Sequence, residues 1–291
     1  MICFPNAKIN LGLFVTEKRP DGFHNIETIL FPIPLCDVLE ITVETGHASS
    51  SLHVHGIEID GDPKDNLIFR ALELLKNDFD LPNMRINLLK RIPFGAGLGG
   101  GSSDATLMLK MLNEKFLLNI SNEKLEDYAR QIGSDCAFFV KNKPTFAYEK
   151  GDKFKPINLA LWGYRLVLIC PPIHVNTKSA YQDISPKPAE LDLQLLPNIS
   201  VNKWKDILQN DFEPSVFAQH PILADIKQNL YDAGAVYVSM SGSGSAMFGL
   251  FPGSKFSKYR ILQSLPSSIC KESKVFMIDL ASSKSSISKL Y

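Results

Sequence analysis

Between Pro93 and Ala105 the chain reads Pro-Phe-Gly-Ala-Gly-Leu-Gly-Gly-Gly-Ser-Ser-Asp-Ala, with five glycines inside the seven residues from Gly95 to Gly101. A glycine has no Cβ, so its backbone takes positive φ freely and approaches a ligand closely. An apolar run from Met84 to Ile92 precedes the glycines and a helical pattern from Ser102 follows them. The first turn of a helix carries free N–H groups and a partial positive charge. A strand that feeds a glycine loop, and a loop that feeds a helix start, together make a phosphate site. A flexible surface turn fits poorly, because Ile92-Pro93 follows an apolar strand and Leu98 sits among the glycines.

Three phosphate-loop patterns compete. Gly95-x-Gly97-x-x-Gly100 fits the dinucleotide fingerprint, but that pattern belongs after a first strand and before an acidic residue about twenty positions on. Leu107 to Leu118 reads instead as helix and linker, which leaves a dinucleotide-dependent oxidoreductase as the distant alternative. The same glycines have P-loop spacing, yet Gly101 stands where the lysine belongs and no lysine occurs between Arg91 and Lys110. Without it nothing in the loop meets the β- and γ-phosphates, and the P-loop is excluded. The third pattern, Pro-x-Gly-x-Gly-Leu-Gly followed by small residues and Ser-Ser, requires a cation from elsewhere.

Charge and cysteine usage narrow the partners. The 291 residues carry 31 Lys and Arg against 31 Asp and Glu, so no basic excess points to nucleic acid. Small anionic substrates remain open, since local fields form in a neutral protein. The five cysteines are odd in number and include no CxxC pair, which favours free thiols in a reducing cytosol. No signal-peptide pattern opens the chain, and no stretch approaches the ~20 apolar residues of a membrane span. A cytoplasmic protein is expected; its oligomeric state is not fixed by the sequence.

Alternation predicts a strand over Ala7–Val15, with Ala7, Ile9, Leu11 and Leu13 on one face and Lys8, Asn10 and Gly12 on the other. Further strands are expected over 23–33, 38–43, 52–55, 84–92, 164–170, 236–240, 246–251 and 275–280. Helices are expected over 66–77 with Asp65 as cap, over Ser102–Phe116 with Ala105, Met108, Leu109, Leu112 and Phe116 as the buried stripe, and over 121–132, 220–231 and 255–264. The small-residue segment 46–51 reads as a turn, 186–197 as a Pro- and Leu-bearing connection, and the serine-rich tail from Ser282 as frayed. No regular βαβ rhythm appears, which favours α+β in two lobes.

The polar positions carry two readings each. Lys8 and Asn10 form either a solvated strand face or, with Gly12 allowing close approach, the cation that the glycine loop lacks. Asp135, after Gly133-Ser134, is either a helix cap or a carboxylate that accepts a hydroxyl proton in phosphoryl transfer. Asp104 reads by default as a cap that also complements the helix dipole. Ser102, Ser103 and Thr106 offer hydroxyls to phosphate or Mg²⁺, and one of them is explained equally by capping. Ser241-Gly-Ser-Gly-Ser245 reads as a hairpin turn or as a wall closing over phosphate or acceptor.

Asn6-Ala-Lys-Ile-Asn-Leu with Arg19-Pro-Asp-Gly-Phe-His24, then Asp65-Asn-Leu-Ile, Pro93 through Ala105, Gly133-Ser-Asp-Cys-Ala-Phe-Phe-Val140 and Met240-Ser-Gly-Ser-Gly244 resemble in order the kinase superfamily named for galactokinase, homoserine kinase, mevalonate kinase and phosphomevalonate kinase (GHMP). The resemblance spans most of the chain and is thin from about Asn176 to Gln219. Its Asp-Gly-aromatic-His segment and Gly-Gly-Gly-Ser-Ser ending are similar to the branch that phosphorylates the 2-hydroxyl of a cytidine-diphosphate-linked methylerythritol, on the non-mevalonate route to isoprenoid precursors.

The resemblance implies an α+β fold with a ribosomal-protein-like N-terminal lobe, residues 1–155, and a ferredoxin-like C-terminal lobe, 156–291, around a cleft. It implies ATP and Mg²⁺ as cofactors and a small cytidine-diphosphate-linked substrate as partner; it assigns no metal ligand. Lys8 and Asp135 become the catalytic pair, and Asn10 helps hold the acceptor's hydroxyls. His24 reads the cytosine edge, Phe23 stacks on the base, and Tyr181 is the candidate second aromatic. Asn66 with Pro93, Phe94, Gly95, Ala96, Gly97, Leu98, Gly99, Gly100, Gly101, Ser102 and Ser103 forms the ATP site. Phe23 stands where the family often has Tyr, which keeps stacking and loses a hydroxyl. A kinase of the mevalonate or homoserine type and a non-catalytic nucleotide-binding regulator are the rivals. Lys8 and Asp135 together argue against the regulator.

Overall fold

The computed structural model describes residues 1–45, 49–58, 65–182 and 184–280. The tail from Ser282 and part of the 46–51 turn lie outside them. In chain order the elements are β1 (Ile2–Cys3), β2 (Asn6–Lys18), β3 (His24–Cys36), β4 (Val38–Val43), β5 (Ser51–Gly56), α1 (Leu67–Lys76), β6 (Met84–Lys90), α2 (Gly100–Lys115), α3 (Asn122–Ile132), α4 (Phe138–Lys141), β7 (Thr145–Tyr148) and β8 (Lys153–Pro156). There follow β9 (Tyr164–Cys170), α5 (Thr177–Gln182), α6 (Trp204–Ile207), α7 (Glu213–Gln219), α8 (Pro221–Asp232), β10 (Tyr237–Met240), β11 (Met247–Pro252), α9 (Lys258–Ser264), α10 (Ser267–Glu272) and β12 (Lys274–Asp279). Three four-stranded sheets result, ordered β1-β4-β6-β5, β2-β3-β7-β8 and β10-β11-β9-β12. The mixture is α+β in two lobes, as expected.

The long β2–β3 hairpin is set by its turn. Pro20, Asp21 and Gly22 reverse the chain, with Gly22 N–H on Arg19 O at 3.1 Å and Asp21 accepting from Phe23 N–H at 3.1 Å. The alternation in β2 does not run through. A bulge between Leu11 and Leu13 shifts the register, so Ile9 and Leu11 enter one core and Leu13 another. Gly12, expected on the Lys8 face, sits at that bulge with φ +68°, and a Cβ there would lie 2.4 Å from Leu208 Cδ1. What approaches Gly12 is apolar packing from the C-terminal lobe.

Helix α2 begins two residues earlier than its serines suggested, inside the glycine run. It is buried almost all round, with Leu107 and Met111 as well as the expected Met108, Leu109 and Leu112 in the core. It packs against α1, α3 and α4. Its polar first turns therefore need internal partners. Helix α1 is capped by Asn66, whose Oδ1 accepts from Ile68 N–H at 3.0 Å; Asp65 was the expected cap. In β9, Leu166 and Leu168 face the core shared with β2 and β3, while Val167 and Ile169 face the one beneath α8. Burial on both faces accounts for its unbroken apolar run. Four described cysteines are free, in line with the thiol expectation.

Candidate functional site

β6 ends at Lys90, and the glycine loop runs from Pro93 to the start of α2. Three successive carbonyls of this loop are held by the protein body. Ala246 N–H donates to Ala96 O at 3.2 Å and Lys8 N–H to Leu98 O at 2.9 Å; Ser241 Oγ donates to Gly97 O at 2.9 Å. In a planar trans peptide the next residue's N–H points opposite to the carbonyl. The N–H groups of Gly97, Leu98 and Gly99 are thereby turned to the opposite side, away from those partners. The glycines are required by closeness: a Cβ on Gly97 would lie 2.0 Å from Ser241 O, and Gly99, at φ +69°, is pressed between Phe139 and the Lys8 stem at 3.0–3.1 Å.

Gly99 is the N-cap of α2, and no side chain caps that helix. The buried Ser103 Oγ has no partner. Uncapped helical N–H groups, outward loop amides and an orphaned hydroxyl fit a bound phosphate. Thr106, by contrast, is used internally, its hydroxyl donating to Ser102 O and Cys136 O, each at 2.8 Å. Asp104 is no cap; it lies in the second turn and pairs with Lys90 Nζ at 3.1 Å.

Lys8 is buried, not part of a solvated face: its side chain is 4% exposed, and its Nζ lies 3.2 Å from Asp135 Oδ2. The ammonium also donates to Asn10 Oδ1 at 2.8 Å. Asn10 Nδ2 donates to Thr28 Oγ1 at 3.1 Å, so both polar ends of Asn10 are engaged and its amide holds the lysine. Asp135 lies in the turn before α4, whose N-cap is Ala137, so the capping alternative fails. At 35% exposure its carboxylate still opens to solvent.

Beside Asp135 a cavity of about 800 Å³ is lined by Phe23, His24, Ser134 and Tyr181. His24 lies flat on Tyr181, ring centroids 4.7 Å apart at 12°, and Tyr181 meets Phe212 edge-on. Phe23 is exposed, with Lys150 Nζ 5.4 Å from its ring. Burial and Lys18 depress the His24 pKa below 6.5; burial, with Asp135 nearby, pushes the Tyr181 phenol up to about 12. Four cations, Lys18, Arg130, Lys150 and Lys178, also line the cavity. No sequence signal gathered them, because they come from four separate segments. A second cavity, about 490 Å³, is lined by Pro93 and Phe94 with Pro171, Pro172 and His174 across it. Asn66 caps the N-terminus of α1, and its neighbour Leu67 lies 3.8 Å from where a Cβ on Gly101 would sit.

Ser241 belongs to a hairpin joining antiparallel β10 and β11. The hairpin reading holds, and the same turn packs against the glycine loop at Gly97. Asn210 Nδ2 fixes it by donating to Met240 O and Gly242 O, each at 2.8 Å; nothing in the spacing of Asn210 announced this. Among the described residues no cluster of three or more His, Cys, Asp or Glu forms a metal site, and no helix is long and apolar enough to cross a membrane.

Residues 66–143 match the GHMP kinases N terminal domain, and residues 192–267 match GHMP kinases C terminal. The chain is 54% identical over 260 residues to the 4-diphosphocytidyl-2-C-methyl-D-erythritol kinase of Bacteroides fragilis, covering 89% of this chain and 95% of that relative. Against the enzyme of that name from Chlorobium phaeobacteroides it is 39% identical over 257 residues, 84% of each chain. It is similar to a crystal structure of 4-(cytidine 5'-diphospho)-2C-methyl-D-erythritol kinase, with a TM-score of 0.79, 30% identity and coverage of 96% of this chain and 98% of that one. The Methanococcus jannaschii mevalonate kinase shares the fold, with a TM-score of 0.71 at 12% identity over 95% of this chain and 97% of its own.

Proposed function

Because the chain belongs to the GHMP kinases, and among them to the 4-diphosphocytidyl-2-C-methyl-D-erythritol kinases, we propose that it uses Lys8 and Asp135 to move the γ-phosphoryl group of ATP to the 2-hydroxyl of 4-diphosphocytidyl-2-C-methyl-D-erythritol. The observation that carries this assignment is one contact chain. Lys8 bonds through its backbone to the glycine loop at 2.9 Å and through its side chain to Asp135 at 3.2 Å, so a single residue touches both halves of the cleft.

Asp135 accepts or orients the acceptor hydroxyl's proton. Lys8 has three N–H donors; Asn10 and Asp135 take two, and the third faces charge on the transferring group. Asn10 serves the acceptor by fixing that ammonium. The loop from Pro93 to Gly101, with Ser102 and Ser103, holds the phosphates, and Asn66, Pro93 and Phe94 border the nucleoside end. Mg²⁺, if bound, would neutralise phosphate charge, and Ser102 and Ser103 offer the hydroxyl oxygens that would hold it. Phe23 stacks on the cytosine, His24 reads its edge, and Tyr181, one face of which His24 covers, borders the base from the other lobe. The lobes divide at 155/156, and the enzyme acts in the cytoplasm.

Incubation with ATP, Mg²⁺ and this substrate is expected to release ADP and yield a 2-phosphate visible by ³¹P NMR, with CDP competing against the acceptor. Absence of ADP release, or turnover of mevalonate or homoserine that CDP leaves untouched, would refute the assignment.

A further inference from the structure

Directly beneath the glycine loop lie three ionisable groups that phosphoryl transfer does not use. Asp37, Lys90 and Asp104 are 0%, 1% and 2% exposed. Lys90 Nζ bonds Asp37 Oδ2 and lies 3.1 Å from Asp104 Oδ2. Replacing such groups by apolar ones is often neutral for stability, so their burial at this place requires a local reason.

The backbone supplies it. Asp37 Oδ1 accepts from Arg91 N–H at 2.5 Å and Ile92 N–H at 2.8 Å, the two residues that lead from β6 into Pro93. Asp104 lies on α2, just past the loop's exit. Lys90 Nζ, between the carboxylates, is pressed so near Gly100 that a Cβ there would lie 2.8 Å from it. A third attachment runs from Asp37 N–H to Pro5 O at 2.9 Å, at the foot of the strand that carries Lys8. Lys90 and its two carboxyl partners therefore tie the start of the loop to its end, and the Asp37 backbone amide joins them to the strand that carries Lys8.

We infer that Asp37, Lys90 and Asp104 form a buried clamp that fixes the span between the two ends of the phosphate loop, and so set affinity for the nucleotide without touching it. They are positioning residues. Phosphate binding needs several backbone N–H groups aimed together, and a loop whose ends drift loses that convergence. The acceptor cavity, lined by Phe23, His24 and Tyr181, shares no residue with the clamp. Burial pushes the Asp104 carboxyl up, to about 8, which eases the surplus negative charge of two carboxylates around one ammonium.

The inference rests on the ATP role of the loop, and the test separates the two. Asp104→Leu removes the tie to α2, whereas Asp104→Asn keeps an oxygen for Lys90. Asn113→Ala is the control; Asn113 bonds Ile120 at the far end of α2. Asp104→Leu is expected to raise KM for ATP, and Kd for ADP by calorimetry, about 10-fold, with acceptor KM within about 2-fold of wild type. Asp104→Asn restores the nucleotide values, and Asn113→Ala lowers Tm while leaving both KM values in place. Should Asp104→Leu not accumulate folded, Asp37→Asn carries the same expectation of a selective rise for the nucleotide. A folded Asp104→Leu or Asp37→Asn with wild-type nucleotide affinity overturns the clamp, as does failure of Asp104→Asn to restore it, or an equal rise in both KM values. A wild-type protein that neither binds ADP nor turns over ATP overturns instead the assignment of the loop.

Discussion

His24 shows how much one side chain's surroundings decide. Its imidazole stacks on Tyr181 at 4.7 Å, and burial together with Lys18 holds its pKa below 6.5. The ring is then neutral at neutral pH, with one nitrogen donating and the other accepting. Acidification converts it to imidazolium and removes the acceptor. Acceptor KM is therefore expected to stay flat from about pH 8 to about pH 6.5 and to rise only below that. His24→Gln keeps a donor and an acceptor and is expected to abolish the rise; initial-rate profiles check both, and a rise that begins above pH 7 contradicts the assignment. Lys8, Asn10 and Asp135 were legible in the sequence as residue types, but not as a buried pair with a tether. Alternation marks a strand face as polar without saying whether solvent or another lobe covers it. Asp104 was misread for a related reason: an acid near a helix start looks like a cap until the helix is found buried on every side.

The glycine loop was the most legible element, since its residues are demanded by local geometry. Gly97→Ala places a Cβ 2.0 Å from Ser241 O at φ +76°, and is expected to cost about 2 kcal/mol or more and to weaken ATP binding. At Gly101, inside α2, the nearest atom to a Cβ is Leu67 Cδ1 at 3.8 Å, so Gly101→Ala is expected to hold or raise stability by about 1 kcal/mol through helix propensity. Urea unfolding of the two variants checks the contrast, and equal losses would contradict it. Strand β2 was less legible. Its bulge at Gly12 reverses which residues face which core, and nothing in a period-two pattern reveals a bulge until the partner strand is known. The short β7–β8 hairpin escaped notice because four-residue strands carry too little periodicity.

The two lobes meet in a common core. Ile9, Leu11 and Phe31 pack in one cluster with Leu168, Phe248 and Trp204, which brings the Ser241 turn onto Gly97 and the Tyr181 helix onto His24. Sequence order could not show this: the stretch from Asn176 to Gln219, where motifs are sparse, supplies both Tyr181 and the Asn210 that holds the Ser241 turn. The folded molecule thus joins the glycine loop, the cavity lined by Phe23, His24 and Tyr181, and the Lys8–Asp135 pair. Single-turnover ADP formation by Asp135→Asn, alongside its Kd for ATP, tests that junction most directly. Turnover should fall at least ~100-fold with nucleotide affinity unchanged; turnover near the wild-type rate would remove Asp135 from the chemistry and the Lys8–Asp135 account with it.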